Sequence, residues 1–324
     1  MFLICGEALF DFFADRARAS EDTPHVHFEA VAGGSPYNVA VGLARLERRA
    51  ALFTGLSNDF LGERLHNIMR REGVDTRFLI RMDNPTTLSM VAVSSCGMPQ
   101  YSFYHKQGPD SALRVEHLEP LPTDVHAIHV GSYSLVVSPT AETLLELLER
   151  EGKDRLVTLD PNVRLAIEPD LQRWQKQVEA FARYADVIKV SDEDLSLLYG
   201  DGDGGVMAER WLKGRTNLVM VTRGSKGVTL FSAGERFDVA TIPVEVVDAV
   251  GAGDTFQAAV LCWLSEHGFA SSKGVASMTR EDMTNMVNFA NKAAGITCLR
   301  RGPDLPRRHE IPATEENASS AAAV

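Results

Sequence analysis

Apolar and polar positions along this chain follow two patterns in alternation. Short apolar runs of four residues recur from the N-terminus onwards, and each predicts a buried strand. These runs cover residues 2–5, 51–54, 127–130, 156–159, 187–190 and 218–221. Between several of them apolar residues return every three or four positions, as in the helix for which Ser35 is the predicted N-cap and the helix predicted over 139–151. Such alternation predicts an α/β fold with a doubly wound, mostly parallel sheet between helices.

One part of the chain breaks this alternation. Residues 87–94 and 100–106 are two strand-like runs joined by a turn at 96–99, with no helix between them. With an extended piece over 12–30, they predict a small β lid. A hairpin over 228–240 is predicted to extend the edge of the main sheet. The predicted division is an α/β domain of residues 1–11, 31–85 and 107–314, a lid of residues 12–30 and 86–106, and a flexible tail of residues 315–324.

The composition narrows the class of partner. The formal net charge of −11 disfavours nucleic acid, because a basic face supplies most of the affinity for a phosphate backbone. No apolar stretch has the length of a membrane span, and Glu7 and Asp11 interrupt the apolar N-terminus, which is therefore predicted to be a strand rather than a signal peptide. The four cysteines lack close spacing or a histidine at zinc-binding distance, which predicts free thiols in a reducing cytoplasm.

The segment with the clearest chemical pattern covers residues 248–256 and reads Asp-Ala-Val-Gly-Ala-Gly-Asp-Thr-Phe. Helical spacing follows it, so Gly251, Ala252 and Gly253 form a loop of small residues at a helix start, where free N–H groups and the helix dipole favour an anion. Asp254 then fits a general base that takes a proton from a hydroxyl attacking phosphorus. The alternative is a capping aspartate after a glycine turn. A dinucleotide site is disfavoured because the third glycine is missing, and the P-loop pattern does not occur in the sequence.

A second candidate segment covers residues 32–38. Gly33 and Gly34 precede a predicted helix, and Asn38 lies one turn into it. Backbone and side-chain amide could therefore approach a polyol. A turn followed by a helix cap is the alternative interpretation.

The order of these two segments, and their separation of roughly two hundred residues, suit a single domain of this size. Residues 32–46 and 248–257 resemble the two signatures of the PfkB (ribokinase-like) carbohydrate kinases. The first strand end at 6–11, the Asp-Pro-Asn-Val-Arg segment at 160–164, the loop at 222–227 and the helix at 289–294 also resemble that family. The likeness covers almost the whole chain except the tail, and within the family it is greatest to fructokinases. It implies the ribokinase-like form of the doubly wound fold.

The resemblance implies a role for each matching residue. Asp254 would be the general base, and the N–H groups of Gly251, Ala252 and Gly253 would stabilise charge on the transferring phosphoryl group. The residues that would bind the sugar are Asp11, Gly33, Gly34, Asn38 and Arg164. Those that would contact ATP are Asn162, Thr222, Gly224, Gly227 and Asn291. The lid would close over the site and exclude water.

Two positions depart from the family pattern. The family has Asn-x-x-Glu, a motif that orders water around Mg²⁺, where this chain has Ser191 followed by Asp192, Glu193 and Asp194. Glu193 and Asp194 are therefore the candidates for contact with the hydrated Mg²⁺. Asp248 is a candidate ligand for a monovalent cation such as K⁺, although Ala249 follows it where the family has Thr, Ser or Pro.

The expected enzyme is a cytoplasmic, ATP-dependent kinase that converts D-fructose to fructose 6-phosphate. One alternative is the same chemistry on 2-keto-3-deoxygluconate or another ketose, because Arg164 could serve a substrate carboxylate as well as a phosphate. Another is a sugar- or nucleotide-binding regulator that has lost catalysis, which the altered segment 191–194 would allow. Both faces of the lid hairpin carry apolar residues, which predicts a homodimer through the lid.

Overall fold

The computed structural model describes residues 1–14, 25–93, 99–200 and 204–312. The predicted tail lies outside these residues, as do residues 15–24 of the predicted lid and residues 96–98 of the predicted turn. In the part of the chain that is described, none of the helices combines the length and the apolar character that a membrane crossing needs.

Two sheets organise the described residues. In chain order their strands are β1 Phe2–Cys5, β2 Leu9–Ala14, β3 Phe28–Gly33, β4 Ala50–Ser57, β5 Leu79–Met82, β6 Leu88–Val93, β7 Pro99–Tyr104, β8 Ala127–Gly131, β9 Leu156–Asp160, β10 Val187–Ser191, β11 Leu218–Thr222, β12 Val228–Ser232 and β13 Glu235–Val239. The larger sheet has nine strands in the order β13-β12-β11-β10-β9-β8-β1-β4-β5. It is parallel except for β12 and β13, which form the predicted hairpin at its edge. The predicted doubly wound α/β class is confirmed.

The smaller sheet has four strands in the order β3-β2-β6-β7. β2 pairs antiparallel with β3 and parallel with β6, and β6 pairs antiparallel with β7. The sheet begins at Leu9, three residues before the predicted start of the lid at residue 12. Asp11 therefore lies on the smaller sheet rather than at the end of the first strand of the larger one.

Helices cover both faces of the larger sheet. They are α1 Ser35–Arg45, α2 Phe60–Glu72, α3 Thr140–Glu151, α4 Leu171–Ala182, α5 Asp192–Tyr199, α6 Gly205–Leu212, α7 Ala252–Glu266, α8 Ser272–Ala276 and α9 Arg280–Cys298. Phe2 and Ile4 face a core that includes α1, α7 and α9, whereas Leu3 and Cys5 face a second core that includes α3 and α4. Successive residues of β1 are thus buried on opposite sides, as parallel strands between two helical layers require.

The start of α1 differs from the prediction in one respect. Gly34, with φ +106°, is the N-cap, and Ser35 is the first helical residue. A side chain on Gly34 would collide with the backbone of Glu7, since its Cβ would lie 2.8 Å from the Glu7 carbonyl oxygen. Glycine therefore allows α1 to begin directly against the end of β1, and the hydroxyl of Ser35 is not used to cap its own helix.

Candidate active site

A cleft of about 610 Å³ opens at the carboxyl ends of the parallel strands, where α/β folds bind ligands. Twelve of the predicted site residues line it. Six of them are predicted to bind the sugar or lie at the start of α7, namely Asp11, Gly34, Asn38, Gly251, Gly253 and Asp254. The others are Asn162, Arg164, Glu193, Asp194, Thr222 and Asp248. Residues as far apart in sequence as Asp11 and Asp254 therefore share one cavity.

Five predicted site residues are not part of this lining. Gly33 and Ala252 are chain neighbours of lining residues, and a Cβ on Gly33 would lie 2.4 Å from Oδ2 of Asp11. Gly227 and Asn291 both lie close to the C-terminal end of β13. A Cβ on Gly227 would lie 2.3 Å from the Val239 carbonyl oxygen, and Asn291 Nδ2 donates to the Ala240 carbonyl at 3.2 Å. Gly224 is exposed in the turn between β11 and β12.

Asp254 is buried in the first turn of α7, with 7% of its surface exposed. Ser35 Oγ donates to Oδ1 at 2.6 Å, and Asn38 Nδ2 donates to Oδ2 at 2.8 Å. Burial raises the pKa of Asp254 above its ordinary value, while these two hydrogen bonds and the nearby Lys189 ammonium oppose the rise. The carboxylate is thus held in one orientation inside the protein, with a proton affinity above that of an exposed aspartate.

Backbone geometry beside Asp254 suits an anion. Gly251 is the N-cap of α7 with φ +79°, a conformation that glycine adopts without steric cost. Within the described part of the chain, the N–H groups of Gly251 and Gly253 have no acceptor, whereas the Ala252 N–H donates to the Ala249 carbonyl at 3.2 Å. Two of the three N–H groups that the sequence indicated are therefore available to a bound anion at the positive end of the helix dipole.

A buried lysine lies under this loop. Lys189, on β10, forms an ion pair with Asp160, on β9, with Nζ 2.7 Å from Oδ2. A Cβ on Gly253 would lie only 3.2 Å from Lys189 Nζ, so the ammonium group touches the anion-binding turn. Burial lowers the pKa of Lys189, but the carboxylates of Asp160, Asp254 and Asp194 outweigh it, and the pKa lies above its ordinary value. Lys189 therefore brings a permanent positive charge to the cleft.

Two acidic side chains, Asp11 and Glu7, also line the cleft. Burial raises the pKa of Asp11, and Arg164 opposes the rise. Glu7 is buried at the end of β1, and burial raises its pKa to about 8. Its Oε2 has no hydrogen-bond partner among the described residues, and the same holds for Oδ1 of Asn162, which has the uncommon φ of +41°. Oxygen atoms without partners in a cleft are suited to the hydroxyl groups of a polyol.

The residues predicted to contact hydrated Mg²⁺, Glu193 and Asp194, lie at the start of α5. Ser191 caps that helix, accepting from the Asp194 N–H at 3.0 Å, and Asp194 Oδ1 accepts from the Val163 N–H at 3.2 Å. Glu193 is exposed and lines the cleft. Among the described residues, no group of three or more acidic, histidine or cysteine side chains could enclose a metal ion. Both oxygens of Asp248 accept backbone N–H groups, from Val250 at 3.0 Å and Gly302 at 2.9 Å.

Comparison with known proteins identifies the family. The model of the pfkB family carbohydrate kinases matches residues 2–310. The chain is a member of the pfkB carbohydrate kinase family. The resemblance seen in the two signature segments is thereby confirmed, and with it the expectation of a carbohydrate kinase. A fructokinase from Rhizobium leguminosarum bv. trifolii is 32% identical over 325 residues, which cover 99% of this chain and 93% of that relative.

Solved structures of pfkB-type sugar kinases share the fold. A fructokinase from Xylella fastidiosa with bound ATP has a TM-score of 0.87 and 26% identity, covering 100% of this chain and 99% of the other. A fructokinase double mutant from Vibrio cholerae O395, bound to fructose, ADP and a potassium ion, has a TM-score of 0.80 and 26% identity over 93% of each chain. The ribokinase-like form of the α/β fold is therefore confirmed.

Lys189, Ser35 and Glu7 line the cleft of this pfkB kinase but are not among the predicted site residues. Lys189 had a signal in the sequence, because a lysine inside the apolar run 187–190 needs a buried partner. The sequence predicts a helix cap at Ser35, and only the packing of α1 against α7 brings its hydroxyl to Asp254. Glu7 lies two residues after the end of the buried strand β1, near the carboxyl ends of the strands where α/β folds bind ligands.

Proposed function

We propose that this kinase transfers the γ-phosphoryl group of ATP to D-fructose and forms fructose 6-phosphate, with Asp254 as the general base. The observation that carries the proposal is the position of the Asp254 carboxylate. It is buried in the cleft beside the free N–H groups of Gly251 and Gly253. A carboxylate would repel a phosphate bound there at rest, but it suits a hydroxyl that loses its proton while attacking phosphorus.

Different residues carry out proton transfer and charge stabilisation in this proposal. Asp254 accepts the proton of the attacking hydroxyl, and its raised pKa makes it a stronger base than an exposed aspartate. The N–H groups of Gly251 and Gly253 and the Lys189 ammonium stabilise the negative charge that develops on the transferring group. All of these groups are held in place before the substrates bind, so little reorganisation is needed during the reaction.

The sugar occupies the part of the cleft beside the smaller sheet in this proposal. Asp11, Gly33, Gly34 and Asn38 surround that space, and carboxylate oxygens accept from neighbouring hydroxyls of a polyol. The carboxylate of Asp11 disfavours a substrate carboxylate placed beside it. Together with the fructokinase names of the relatives, this favours fructose over 2-keto-3-deoxygluconate, even though Arg164 could pair with an acid.

The nucleotide occupies the opposite end. In this proposal Thr222, Gly224 and Gly227 contact the phosphates and Asn291 lies near the base. Asn162 faces the region between the sugar and the phosphates. Glu193 and Asp194 fit hydrated Mg²⁺ rather than a bare ion, because Asp194 already accepts a backbone N–H and Glu193 lies at the surface. When bound with ATP, Mg²⁺ neutralises phosphate charge during transfer. Asp248 is the proposed contact for K⁺, and a cytoplasmic setting fits the free thiols of Cys5, Cys262 and Cys298.

A coupled ADP-release assay with Mg²⁺ and ATP tests this function across ketoses, aldoses and keto-sugar acids. We expect the highest kcat/KM for fructose, and we expect Asp254→Asn to bind ATP but to lose about 10²- to 10⁴-fold in kcat. Heat-stability shifts with sugar alone and ATP alone report binding independently of turnover. Near-normal turnover in Asp254→Asn would refute the base, and a higher kcat/KM for 2-keto-3-deoxygluconate would refute the sugar. If the wild-type protein binds sugar and ATP but releases no ADP, the alternative of a regulator that has lost catalysis would be favoured.

A further inference from the structure

The first turn of α1 holds the Asp254 carboxylate by both of its oxygens. Ser35 and Asn38 are three residues apart, so their side chains leave the helix on one face. Ser35 bonds to Oδ1 and Asn38 to Oδ2, and all three side chains are buried. A carboxylate oxygen can accept two hydrogen bonds. The two donors therefore fix the plane of the carboxylate and still leave it capacity to accept a further proton donor.

We propose that Ser35 is a positioning residue for Asp254, whose hydroxyl holds Oδ1 of the carboxylate and favours its ionised form. This inference rests on the proposed role of Asp254 as the general base. The hydroxyl is available for the task because Gly34, and not Ser35, takes the N-cap position of α1. At 2.6 Å the bond has the short length typical of a hydroxyl that donates to a carboxylate.

The electrostatics of the site support a distinct contribution from Ser35. Burial raises the pKa of Asp254 most, and among the interactions that lower it the Ser35 hydrogen bond comes first, ahead of Asn38 and Lys189. The charged groups that face Asp254 are Lys189 on β10, Asp160 on β9 and Asp11 on β2. None of these changes when the hydroxyl is removed. Loss of Ser35 therefore raises the pKa of Asp254 further.

The consequence for activity has a definite sign. A general base works in its ionised form, so turnover falls as the pH drops through its pKa. The fall in kcat at low pH is the acid limb of the pH profile. A higher pKa of Asp254 moves this limb to higher pH. We expect Ser35→Ala to lose about tenfold in kcat on the acid limb, because the pKa of Asp254 rises, and to recover towards the wild-type rate at alkaline pH. The KM for fructose should be the same in Ser35→Ala as in the wild type.

Two further variants test this assignment. Ser35→Thr keeps the hydroxyl and should restore the wild-type profile. Ser134→Ala is the matched control, because Ser134 is also buried and its hydroxyl also donates at 2.6 Å, but to the Gly131 carbonyl. It should leave the position of the acid limb unchanged. Circular dichroism and ATP binding establish that each variant is folded.

The outcomes separate this inference from the proposed function. An acid limb that does not move in folded Ser35→Ala overturns the inference, and so does an equal loss of kcat at every pH, which a merely structural role would produce. If Asp254→Asn is inactive in either case, the proposed base survives and only the role of Ser35 fails. If Asp254→Asn retains turnover, the proposed base fails and the role of Ser35 fails with it.

Discussion

Lys189 is a charged side chain within a buried strand, and a buried charge is tolerated only when it is paired. Its partner Asp160 lies on the neighbouring strand, and the side chains of the pair are 4% and 2% exposed. The second oxygen of Asp160 has no hydrogen-bond partner among the described residues. An ion pair with incomplete hydrogen bonding is a poor source of stability, which indicates that Lys189 is retained for its charge beside Gly253.

We expect Lys189→Met to lower kcat by about 10²- to 10³-fold, because one stabilising group for the phosphoryl charge is removed. It should also lower the free energy of unfolding by about 3–5 kcal/mol, since Asp160 is left buried and unpaired. The double variant Lys189→Met with Asp160→Asn removes both charges and should regain much of the stability but not the turnover. Urea unfolding and ADP release measure the two effects. Recovery of turnover in the double variant would mean that Lys189 serves only to neutralise Asp160.

At the scale of elements, the contact between α1 and α7 sets the geometry of the base. Ser35, Asn38 and Gly42 follow helical spacing on one face of α1, and Asp254 and Ala258 do so on α7. A Cβ on Gly42 would lie 2.8 Å from the Ala258 Cβ and 2.6 Å from Leu305 Cδ2. The absent side chain at residue 42 therefore allows the close approach of the two helices that brings Ser35 and Asn38 to Asp254.

We expect Gly42→Ala to lower the free energy of unfolding by about 1–3 kcal/mol, because the added methyl forces the two helices apart. It should lower kcat as well, since the donors to Asp254 move with α1. Gly295→Ala on α9 is the matched control: its Cβ would meet only Val244 Cγ1, at 3.6 Å, an ordinary contact. That change should be neutral or stabilising by up to about 1 kcal/mol. Equal stability of the two variants in urea unfolding would contradict the close-packing argument.

At the scale of the whole molecule, the smaller sheet exposes apolar surface. Phe12 and Phe28 contact each other edge to face, with ring centroids 6.3 Å apart, and Phe28 is 40% exposed. Tyr104, on the edge strand β7, is 66% exposed. Apolar surface on a small projecting sheet is typical of an interface, and a contact between two copies through equivalent surfaces gives a two-fold dimer.

We therefore expect a homodimer through the smaller sheet. Light scattering at micromolar concentration should give twice the chain mass, and Phe28→Asp should give a monomer, because a charge in an apolar contact loses its hydration without a partner. Val206→Asp is the control, since Val206 is 78% exposed on α6, away from the smaller sheet. A fully active wild-type monomer would contradict the proposal. A dimer that survives Phe28→Asp would place the interface elsewhere.

Much of the fold and part of the site were predictable from local sequence. The apolar runs and helical spacings predicted the parallel strands of the larger sheet, and the small residues before Asp254 predicted the start of α7. These features depend on neighbours within about four positions, because helix and strand periodicity and the conformational freedom of glycine act over that range. The family resemblance added the other predicted site residues, whose individual roles stay predictions.

Contacts between distant parts of the chain were decided only by the tertiary structure. Ser35 and Asp254 are 219 positions apart, and the sequence around Ser35 fits a helix cap as well as a hydrogen-bond donor. Likewise, the lysine in the run 187–190 indicates that a partner is needed but does not say that Asp160 supplies it, or that Gly253 lies against both. Such pairings arise when helices and strands pack, because side-chain direction and interhelical distance are properties of the assembled layers and not of any one segment.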